Sequence, residues 1–410
     1  MKYAIIIPDG CADEPQESLG GKTPLQAART PNMDRLAQMG VVGRANNVPP
    51  GLTPASDVAT LSLFGYDPSK VYTGRSPLEA AAMGIKLGGT DWAIRCNLVN
   101  VEDGLMRDFT AGHISSEEGR ELIAQVNEVI GGEYDSPDLV NVKVRMEFHP
   151  GVGYRHCLVY RTSGLPAPFE DTTKTQPPHD IPDQPVADYL PSGPGGDLMR
   201  ALMEHSKQVL ADHPVNQQRR AAGKRPATQI WLWGQGRAPQ LVPFVNLHRK
   251  HGAIISGVDL VRGVGILIGW KRLDVPGVTD YLDNDYAAQG QATLDALKSY
   301  DVVCAHVEAP DEASHEGRAD EKVKALERID EQIVGPLLEK MPYLGDWRIL
   351  VSPDHRTPLR TRAHAHGAVP FVIAGTGIQS KGQATYDEVV AAASDLAFDP
   401  GHQLMRFFLG

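Results

Sequence analysis

The chain has few cysteines and no long apolar segment. Its 410 residues include four cysteines, and none of them forms a Cys-X-X-Cys pair. A disulfide framework is not expected in a chain of this length, so we predict a reducing compartment. The apolar run at residues 3–8 is too short for a signal peptide, and no segment approaches the roughly 20 apolar residues that cross a bilayer. These absences predict a soluble, cytoplasmic protein without a membrane partner.

The chain also lacks an excess of positive charge. Its formal net charge is −11, which argues against nucleic acid or an anionic membrane surface as the main partner. A small anion is compatible with this charge, because a binding pocket needs only a few arginines. The length exceeds the size at which a single core stops growing, so two domains are expected.

Strand and helix patterns alternate towards both ends of the chain. Thr30 is predicted to cap the helix that starts at Pro31. The alternation predicts an α/β fold with a mostly parallel sheet and helices on both faces. The predicted strands are 3–8, 301–306, 347–351 and 369–374, and the predicted helices are 31–39, a segment after Pro54, 286–299 and 318–340.

The middle of the chain differs from both ends in its composition and in the length of its patterned segments. Residues 91–162 show short alternating segments and turns, and 163–196 is dense in Pro, Gly, Asp and Thr, which predicts a long irregular connection. A helix is expected at 197–212 and a strand at 229–234. The simplest arrangement is one domain made from residues 1–88 and 251–410, interrupted by an inserted α+β domain over 89–250.

Carboxylate and imidazole side chains follow three of the predicted strands directly: Asp9, Asp311 with His315, and Asp354 with His355. Ligands of an open α/β sheet collect beyond the carboxyl ends of its strands, so these side chains are expected to converge. The i, i+4 spacing of Asp311 and His315 puts both on one face if that segment is helical. Oxygen and nitrogen ligands without cysteine suit Mn²⁺, Zn²⁺ or Mg²⁺.

Each of these residues also has a simpler interpretation. An Asp directly after a strand is most often a turn or cap residue, and an isolated His is usually solvated or hydrogen-bonded. The joint occurrence at several strand ends favours a site for two divalent cations. Either His364 or His366 could supply a further ligand.

Ser56 stands where the helix after Pro54 is expected to begin. It could simply be the N-cap of that helix. The same position would bring backbone N–H groups and the helix dipole close to an incoming phosphate. A coordinated metal would make the hydroxyl a nucleophile at neutral pH, so the sequence predicts phosphoryl transfer through a covalent serine.

Short motifs along nearly the whole chain carry a family resemblance. They are Pro8-Asp9-Gly10, Thr30-Pro31-Asn32-Met33-Asp34, Ser56-Asp57-Val58-Ala59, Leu63-Phe64-Gly65-Tyr66-Asp67-Pro68, Gly74-Arg75-Ser76-Pro77-Leu78-Glu79-Ala80, Arg95-Cys96-Asn97, Gly112-His113-Ile114-Ser115, His213-Pro214-Val215-Asn216, Asp311-Glu312-Ala313-Ser314-His315 and Asp354-His355. With this set the chain resembles the archaeal-type 2,3-bisphosphoglycerate-independent (cofactor-independent) phosphoglycerate mutases of the alkaline phosphatase superfamily.

The resemblance implies two divalent metal ions, Mn²⁺ with Zn²⁺ or Mg²⁺ as alternatives, and no organic cofactor. One ion would be held by Asp311, His315 and His364, the last lying six residues before Pro370 as in the family. The other would be held by Asp9, Ser56, Asp354 and His355. Ser56 would become phosphorylated while 3-phosphoglycerate and 2-phosphoglycerate interconvert, a reaction of glycolysis and gluconeogenesis.

The inserted domain would then bind the substrate, a small phosphorylated three-carbon acid. Arg75, Arg95, Arg155 and Arg262 are the candidates for a clamp on its carboxylate. Each of them could equally form a surface or interdomain salt bridge. His113 is the candidate acid/base for the substrate hydroxyl, although it could instead cap its loop.

Two positions depart from the family pattern. Gln289 stands where relatives commonly have Lys, and Arg262 stands where some relatives have Lys. These departures leave an alternative open, a metal-dependent phosphohydrolase or phosphotransferase acting on another small phosphorylated alcohol, in the manner of a homoserine kinase-like protein. The nucleophile, the metal set and the arginines of the insert argue against a non-catalytic scaffold. The sequence predicts no particular oligomeric state.

Overall fold

The computed structural model describes residues 1–135 and 143–410. Within them the chain forms two compact units, one of Met1–Tyr72 with Leu241–Gly410 and one of Thr73–Gln240. The layout is that of a domain built from both chain ends with an insertion between them. No helix in the described part of the chain is long and apolar enough to cross a membrane.

The strands, in chain order, are β1 (Lys2–Pro8), β2 (Val41–Ala45), β3 (Trp92–Glu102), β4 (Leu105–Asp108), β5 (Gly132–Asp135), β6 (Lys143–His149), β7 (Arg155–Arg161), β8 (Gln229–Arg237), β9 (Gly252–Ile255), β10 (Lys271–Arg272), β11 (Val302–Val307), β12 (Trp347–Val351), β13 (Val369–Gly375) and β14 (Ala397–Phe398).

The α-helices are α1 (Pro24–Ala27), α2 (Pro31–Met39), α3 (Ser56–Leu63), α4 (Pro68–Val71), α5 (Ser76–Ala82), α6 (Ser116–Val129), α7 (Gly196–Ala211), α8 (Pro214–Ala221), α9 (Phe244–His248), α10 (Asp259–Leu267), α11 (Tyr286–Leu297), α12 (Ala309–His315), α13 (Ala319–Ile329), α14 (Gly335–Lys340), α15 (Glu388–Ala393) and α16 (Gln403–Leu409). A π-helical turn, Asp330–Val334, joins α13 to α14, and short 3₁₀ turns lie at Glu17–Leu19, Pro178–Asp180, Val186–Tyr189 and Met341–Leu344.

The first unit contains an eight-stranded sheet in the order β10-β9-β11-β1-β12-β13-β2-β14. Only β13 runs antiparallel to its neighbours β12 and β2. Side chains alternate between two buried faces: Ala4 and Ile6 pack in a core that includes residues of α11 and α13, whereas Tyr3 on the other face contacts Phe408 of α16. The predicted mostly parallel sheet with helices on both faces is therefore confirmed.

The second unit is built on an antiparallel sheet. Its strand order is β4-β3-β7-β6-β5. Strand β8 also pairs with β3, along the edge opposite β7. Residues of α6 and α7, among them Leu122 and Met199, pack into the core of this unit. The unit is thus an α+β insertion, as predicted.

The boundaries of the units differ from those expected at 88/89 and 250/251, because the structure divides after Tyr72 and after Gln240. Helix α5 explains the first difference, since it packs on β3, β7 and β8 of the second unit. Its apolar residues, such as Ala80, share a small core with Ala93 of β3 and Val159 of β7.

Two local predictions need correction. Residues 91–162 were expected to hold short segments, but β3 has 11 residues and α6 has 14. Thr30 is the N-cap residue of α2, as predicted, but its side chain makes no capping hydrogen bond. Instead Asp330, in the π-helical turn, accepts hydrogen bonds from the backbone N–H groups of Asn32 (3.2 Å) and Met33 (2.7 Å). A distant carboxylate satisfies the free donors of this helix end.

Candidate metal centre and active site

Three neighbouring parallel strands deliver the polar side chains to one edge of the sheet. Strand β1 lies between β11 and β12, with Pro8 opposite Val307 and Ile6 opposite Val351. The residues that follow these strands therefore emerge side by side: Asp9 after β1, Glu308 and α12 after β11, and Asp354-His355 after β12. This is the edge at which parallel α/β sheets bind ligands.

Gly10 allows these segments to approach each other closely. Its φ of +56° lies in the left-handed region, and a Cβ built on it would lie 2.1 Å from Asp311 Oδ1 and 2.5 Å from Thr357 Oγ1. Its N–H group donates a 3.3 Å hydrogen bond to Asp354 Oδ1. A side chain at this position would push apart the loops that carry Asp311 and Asp354, so glycine is required here.

One half of the site is formed by Asp311, His315 and His364. The carboxylate Oδ2 of Asp311 lies 2.9 Å from His315 Nε2 and 3.3 Å from His364 Nε2. Asp311 and His315 are both in α12 at the i, i+4 spacing that the sequence suggested. Their side chains are 3% and 35% exposed, and that of His364 is 26% exposed, so this half is accessible to solvent.

The other half is formed by Asp9, Ser56, Asp354 and His355. The Nε2 atom of His355 lies 3.3 Å from Asp9 Oδ1, 3.5 Å from Asp354 Oδ2 and 3.2 Å from Ser56 Oγ. All four residues are buried. The His355 and His364 rings, 4.2 Å apart between centroids, connect the two halves. The structure thus brings together all seven residues that were predicted to bind metal.

Hydrogen bonds at Nδ1 fix the ring nitrogens that face the site. The Nδ1 atoms of His315 and His364 lie 2.9 Å and 3.2 Å from the carbonyl oxygens of Arg362 and Pro54. A carbonyl oxygen only accepts, so both Nδ1 atoms carry hydrogen and each neutral ring presents the bare Nε2. Thr357 has the same effect on His355: its hydroxyl donates to Asp311 Oδ1 and lies 3.2 Å from Nδ1 of His355, from which it can accept.

The two halves differ in their proton affinity. Burial, reinforced by the charge of Asp354, raises the pKa of Asp9 well above its usual value. Burial also opposes ionisation of Asp311, but the hydrogen bonds from His315 and His364 outweigh it and hold the pKa of Asp311 well below its usual range. The hydrogen bond to Asp311 raises the pKa of His315 to about 9. Positive charge is therefore favoured beside Asp311.

The donor set fits divalent cations. Asp9 Oδ1 and Asp354 Oδ2 are buried oxygens without a hydrogen-bond partner in the described part of the chain, a costly state unless a cation satisfies them. Two three-residue sets, Asp311 with His355 and His364 and Asp9 with Asp354 and His355, each have donor atoms within 4.8 Å of one another. Carboxylate oxygen and imidazole nitrogen are ligands that Mn²⁺ and Zn²⁺ accept.

Ser56 occupies a different place from the one its simpler interpretation gave it. Ala55 is the N-cap residue of α3, and Ser56 is the first residue of the helix. Its hydroxyl lies 3.2 Å from His355 Nε2. The N-terminal turn of α3 therefore presents the hydroxyl to the site.

The interpretation of the sequence missed three residues at the site: His306, Glu308 and Thr357. His306 Nε2 lies 2.7 Å from Asp9 Oδ2, and His306 is buried. His306 and Glu308 are two residues apart at the end of β11, and a strand directs such residues to one side. That alternation was the signal in the sequence. Thr357 had no comparable signal, because its role depends on contacts with Asp311 and His355.

Three of the four predicted substrate arginines lie in the second unit. Glu79 pairs with both Arg75 Nε (3.3 Å) and Arg95 Nε (2.8 Å). The Arg95 guanidinium is stacked 4.1 Å from the centroid of Trp233. Burial lowers the pKa of Arg95 to about 10, and although Glu79 raises it, the charges of Arg75 and Arg155 lower it further. Three cations and one carboxylate thus lie in one region, which favours binding of an anion.

The remaining predicted residues have other surroundings. Arg262 is in the first unit, where its Nε donates to the carbonyl of Ser256 (2.6 Å) and NH1 pairs with Asp259. Gln289 is buried and donates to the carbonyl of His306 (2.8 Å), so it supports the end of β11. His366 is exposed and belongs to none of the groups of candidate metal ligands among the described residues.

His113 lies in the loop before α6. It has a φ of +50°, unusual for a residue with a side chain. Its backbone N–H donates to Thr110 Oγ1 (2.9 Å), and its side chain is exposed. We find no hydrogen bond from its imidazole to residues 1–135 or 143–410, so the ring does not cap the loop there.

Comparison with known proteins identifies the family. A family model described as 2,3-bisphosphoglycerate-independent phosphoglycerate mutase matches residues 37–216. A protein of that name from Methanothrix thermoacetophila is 45% identical over 410 residues, with 100% of both chains covered. The chain belongs to this family. The predicted family, and with it an enzyme of the isomerase class, are confirmed.

Solved structures agree with this assignment. A protein from Pyrococcus horikoshii has a TM-score of 0.79 at 26% identity, covering 100% of this chain and 96% of that one. A cofactor-independent phosphoglycerate mutase from Thermoplasma acidophilum has a TM-score of 0.68 at 25% identity, covering 100% of both chains. The fold of the mutase family therefore extends over the whole chain.

Proposed function

We propose that this phosphoglycerate mutase interconverts 3-phosphoglycerate and 2-phosphoglycerate through a phosphoserine formed on Ser56. The observation that carries the proposal is the position of Ser56 Oγ, 3.2 Å from His355 Nε2 at the edge of a cluster of three carboxylates and three histidines. A serine placed among metal-binding groups at a helix N-terminus suits attack on phosphorus. The reaction belongs to glycolysis and gluconeogenesis, and the expected location is the cytoplasm.

The proposed centre holds two divalent cations, and Mn²⁺ is the first candidate for both. Asp311, His315 and His364 would bind one, and Asp9, Ser56, Asp354 and His355 the other. When bound, the cations would favour the ionised Ser56 hydroxyl and neutralise charge on the transferring phosphoryl group. The hydrogen bond to Asp311 raises the pKa of His315 to about 9. The surroundings of His315 therefore favour positive charge, as a cation site requires.

The proposed reaction is two transfers between oxygens. In the first, Ser56 Oγ forms a bond to phosphorus as the bond from phosphorus to the 3-oxygen of the substrate breaks, and the hydroxyl proton of Ser56 ends on that oxygen. In the second, the 2-hydroxyl of the same glycerate attacks the phosphoserine, the bond from Ser56 Oγ breaks, and the proton returns. His113 is the acid/base that we propose for the substrate hydroxyls.

The second transfer requires glycerate to stay bound between the two steps. We propose that Arg75, Arg95 and Arg155 bind its carboxylate, because guanidinium groups hold carboxylates through paired hydrogen bonds. Ion pairs with Glu79 orient Arg75 and Arg95. The Arg95 guanidinium is also held by stacking on Trp233. Arg262 is less suited to this task, since it is engaged with Ser256 and Asp259.

The test is an enolase-coupled assay with 3-phosphoglycerate and added Mn²⁺, run beside an assay for free phosphate. The proposal expects 2-phosphoglycerate to form at a steady rate with little phosphate released. Steady release of phosphate without 2-phosphoglycerate would contradict it and would favour the phosphohydrolase alternative.

A further inference from the structure

The two carboxylate oxygens of Asp9 face different partners. Oδ1 lies 3.3 Å from His355 Nε2, in the proposed two-metal centre. Oδ2 lies 2.7 Å from His306 Nε2, on the side of β11. Asp9 is fully buried, so each oxygen must be satisfied by the protein or by an ion. The proposed function accounts for Oδ1 and leaves the group around Oδ2 without a role.

Glu308 completes that group. It follows Val307, which is opposite Pro8, so Glu308 emerges beside Asp9. Its side chain is 12% exposed, and Oε2 lies 3.8 Å from His306 Nε2. Oε2 is shielded from solvent and has no hydrogen-bond partner within the described ranges. Donor atoms of Asp9, His306 and Glu308 all lie within 4.8 Å of one another, so a single ion could contact all three.

Two carboxyl groups this close need a proton or a cation between them. An oxygen of Asp9 and an oxygen of Glu308 lie within 4.8 Å of each other, and ionised carboxylates only accept hydrogen bonds. The ion-pair partner of both groups on this side is one imidazole, that of His306. Two adjacent, shielded carboxylates can be stabilised by a shared proton or by a cation.

Supporting contacts hold His306 in the orientation of a ligand. Ser256 Oγ lies 3.1 Å from His306 Nδ1 and accepts a 3.0 Å hydrogen bond from the backbone N–H of Val258. If Nδ1–H donates to Ser256, Nε2 offers its lone pair towards Asp9 and Glu308. Arg262 holds the Ser256 carbonyl, and Gln289 holds that of His306. Metal-binding histidines usually have such a partner on the second nitrogen.

We propose a third cation site formed by His306, Glu308 and Asp9, with Asp9 shared with the two-metal centre, so that this inference rests on the proposed function. Two carboxylates and one imidazole form a hard donor set that suits Mg²⁺ or Mn²⁺. The ion neutralises Glu308 and fixes Asp9, whose other oxygen faces His355. Gln289 and Arg262 then act as positioning residues for this site.

The experiment is equilibrium dialysis of the full chain against Mn²⁺, followed by metal analysis. Glu308→Gln keeps the size of the side chain and removes its charge. Glu312→Gln, in the helix α12 that follows Glu308, is the charge-matched control. The expected result is one Mn²⁺ fewer per chain in Glu308→Gln than in the wild type and the control. Circular dichroism checks the fold, and His306→Gln, expected to lose the same ion, replaces Glu308→Gln if that variant does not fold.

Equal Mn²⁺ content in the wild type and both variants would overturn the third site and would mean that Asp9 and Glu308 share a proton. The number of ions that Glu308→Gln retains tests the proposed function separately. Two retained ions support the two-metal centre, whereas fewer than two contradict it, whatever the difference from the wild type.

Discussion

The Nε2 atoms of His315 and His364 lie 3.0 Å apart. Both rings have their Nδ1 beside a backbone carbonyl oxygen, so in their neutral forms two lone pairs meet beside Asp311 Oδ2. Three acceptors around one point are stable only with a proton or a cation among them. The hydrogen bond to Asp311 raises the pKa of His315 to about 9, which favours a proton there when no metal competes.

This relationship predicts that His364→Gln loses the ion next to Asp311. Mn²⁺ affinity at that position should fall by more than the roughly 10–100-fold that is typical when an outer partner is lost. Isothermal titration with Mn²⁺ measures the affinity, and His366→Gln is the matched control because His366 is exposed. Loss of the ion in His366→Gln and retention in His364→Gln would reverse the assignment.

Thr357 is predicted to act on the metal centre without binding metal. Thr357→Val keeps the shape of the side chain but removes the oxygen that contacts Asp311 Oδ1 and His355 Nδ1. We expect kcat to fall by about 10–100-fold, as for outer partners of metal ligands. Thr357→Ser retains the hydroxyl and should retain most of the activity. If both variants behave alike in the coupled assay, the hydroxyl has no such role.

The buried pair Lys322–Asp13 is predicted to hold the loop that carries His355. Lys322 Nζ lies 2.8 Å from Asp13 Oδ2 and donates to the carbonyl of Thr357 (3.0 Å). Lys322→Met leaves Asp13 unpaired, which should lower the free energy of unfolding by about 3–5 kcal/mol. Urea unfolding measures this. Adding Asp13→Leu should recover part of the loss, and a double variant less stable than Lys322→Met would argue against the pair.

His156 predicts a pH dependence of stability. It is buried in β7, and burial lowers its pKa to about 3. An unfolded chain binds this proton near pH 6.5, so folding stability falls as the pH decreases from about 6.5 towards 3, by up to about 1.4 kcal/mol per pH unit. His156→Gln should unfold with a smaller difference in stability between pH 7 and pH 5 than the wild type. The exposed His205→Gln should show the wild-type difference; an unchanged slope in His156→Gln would contradict the assignment.

Much of the first unit could be predicted because its signals are local. The strands at residues 3–8 and 347–351 are short apolar runs, and a polar residue directly after each must lie at the sheet edge. Asp9, Asp354 and His355 were found in this way, and Asp311 with His315 followed from helical spacing. His364, in contrast, depended on the family resemblance, because it lies in a loop with no periodic pattern.

The features that were missed depend on contacts between distant segments. Asp330 caps α2 across about 300 residues of chain, and no local pattern reveals it. Thr357 became relevant only when the structure placed it beside Asp311 and His355. Helix α6 is the exception: the capping box of Ser115 and Glu118 was readable in the sequence as a helix start.

The central claim is that Ser56 carries the phosphoryl group during turnover. The direct measurement is to mix the enzyme with Mn²⁺ and 3-phosphoglycerate, quench in acid, digest, and locate the phosphoryl group by mass spectrometry. The account predicts phosphate on Ser56, no phosphopeptide and no mutase activity in Ser56→Ala, and wild-type behaviour in Ser69→Ala, an exposed serine nearby. Near-full activity in Ser56→Ala, or turnover with the phosphoryl group on another residue, would contradict it.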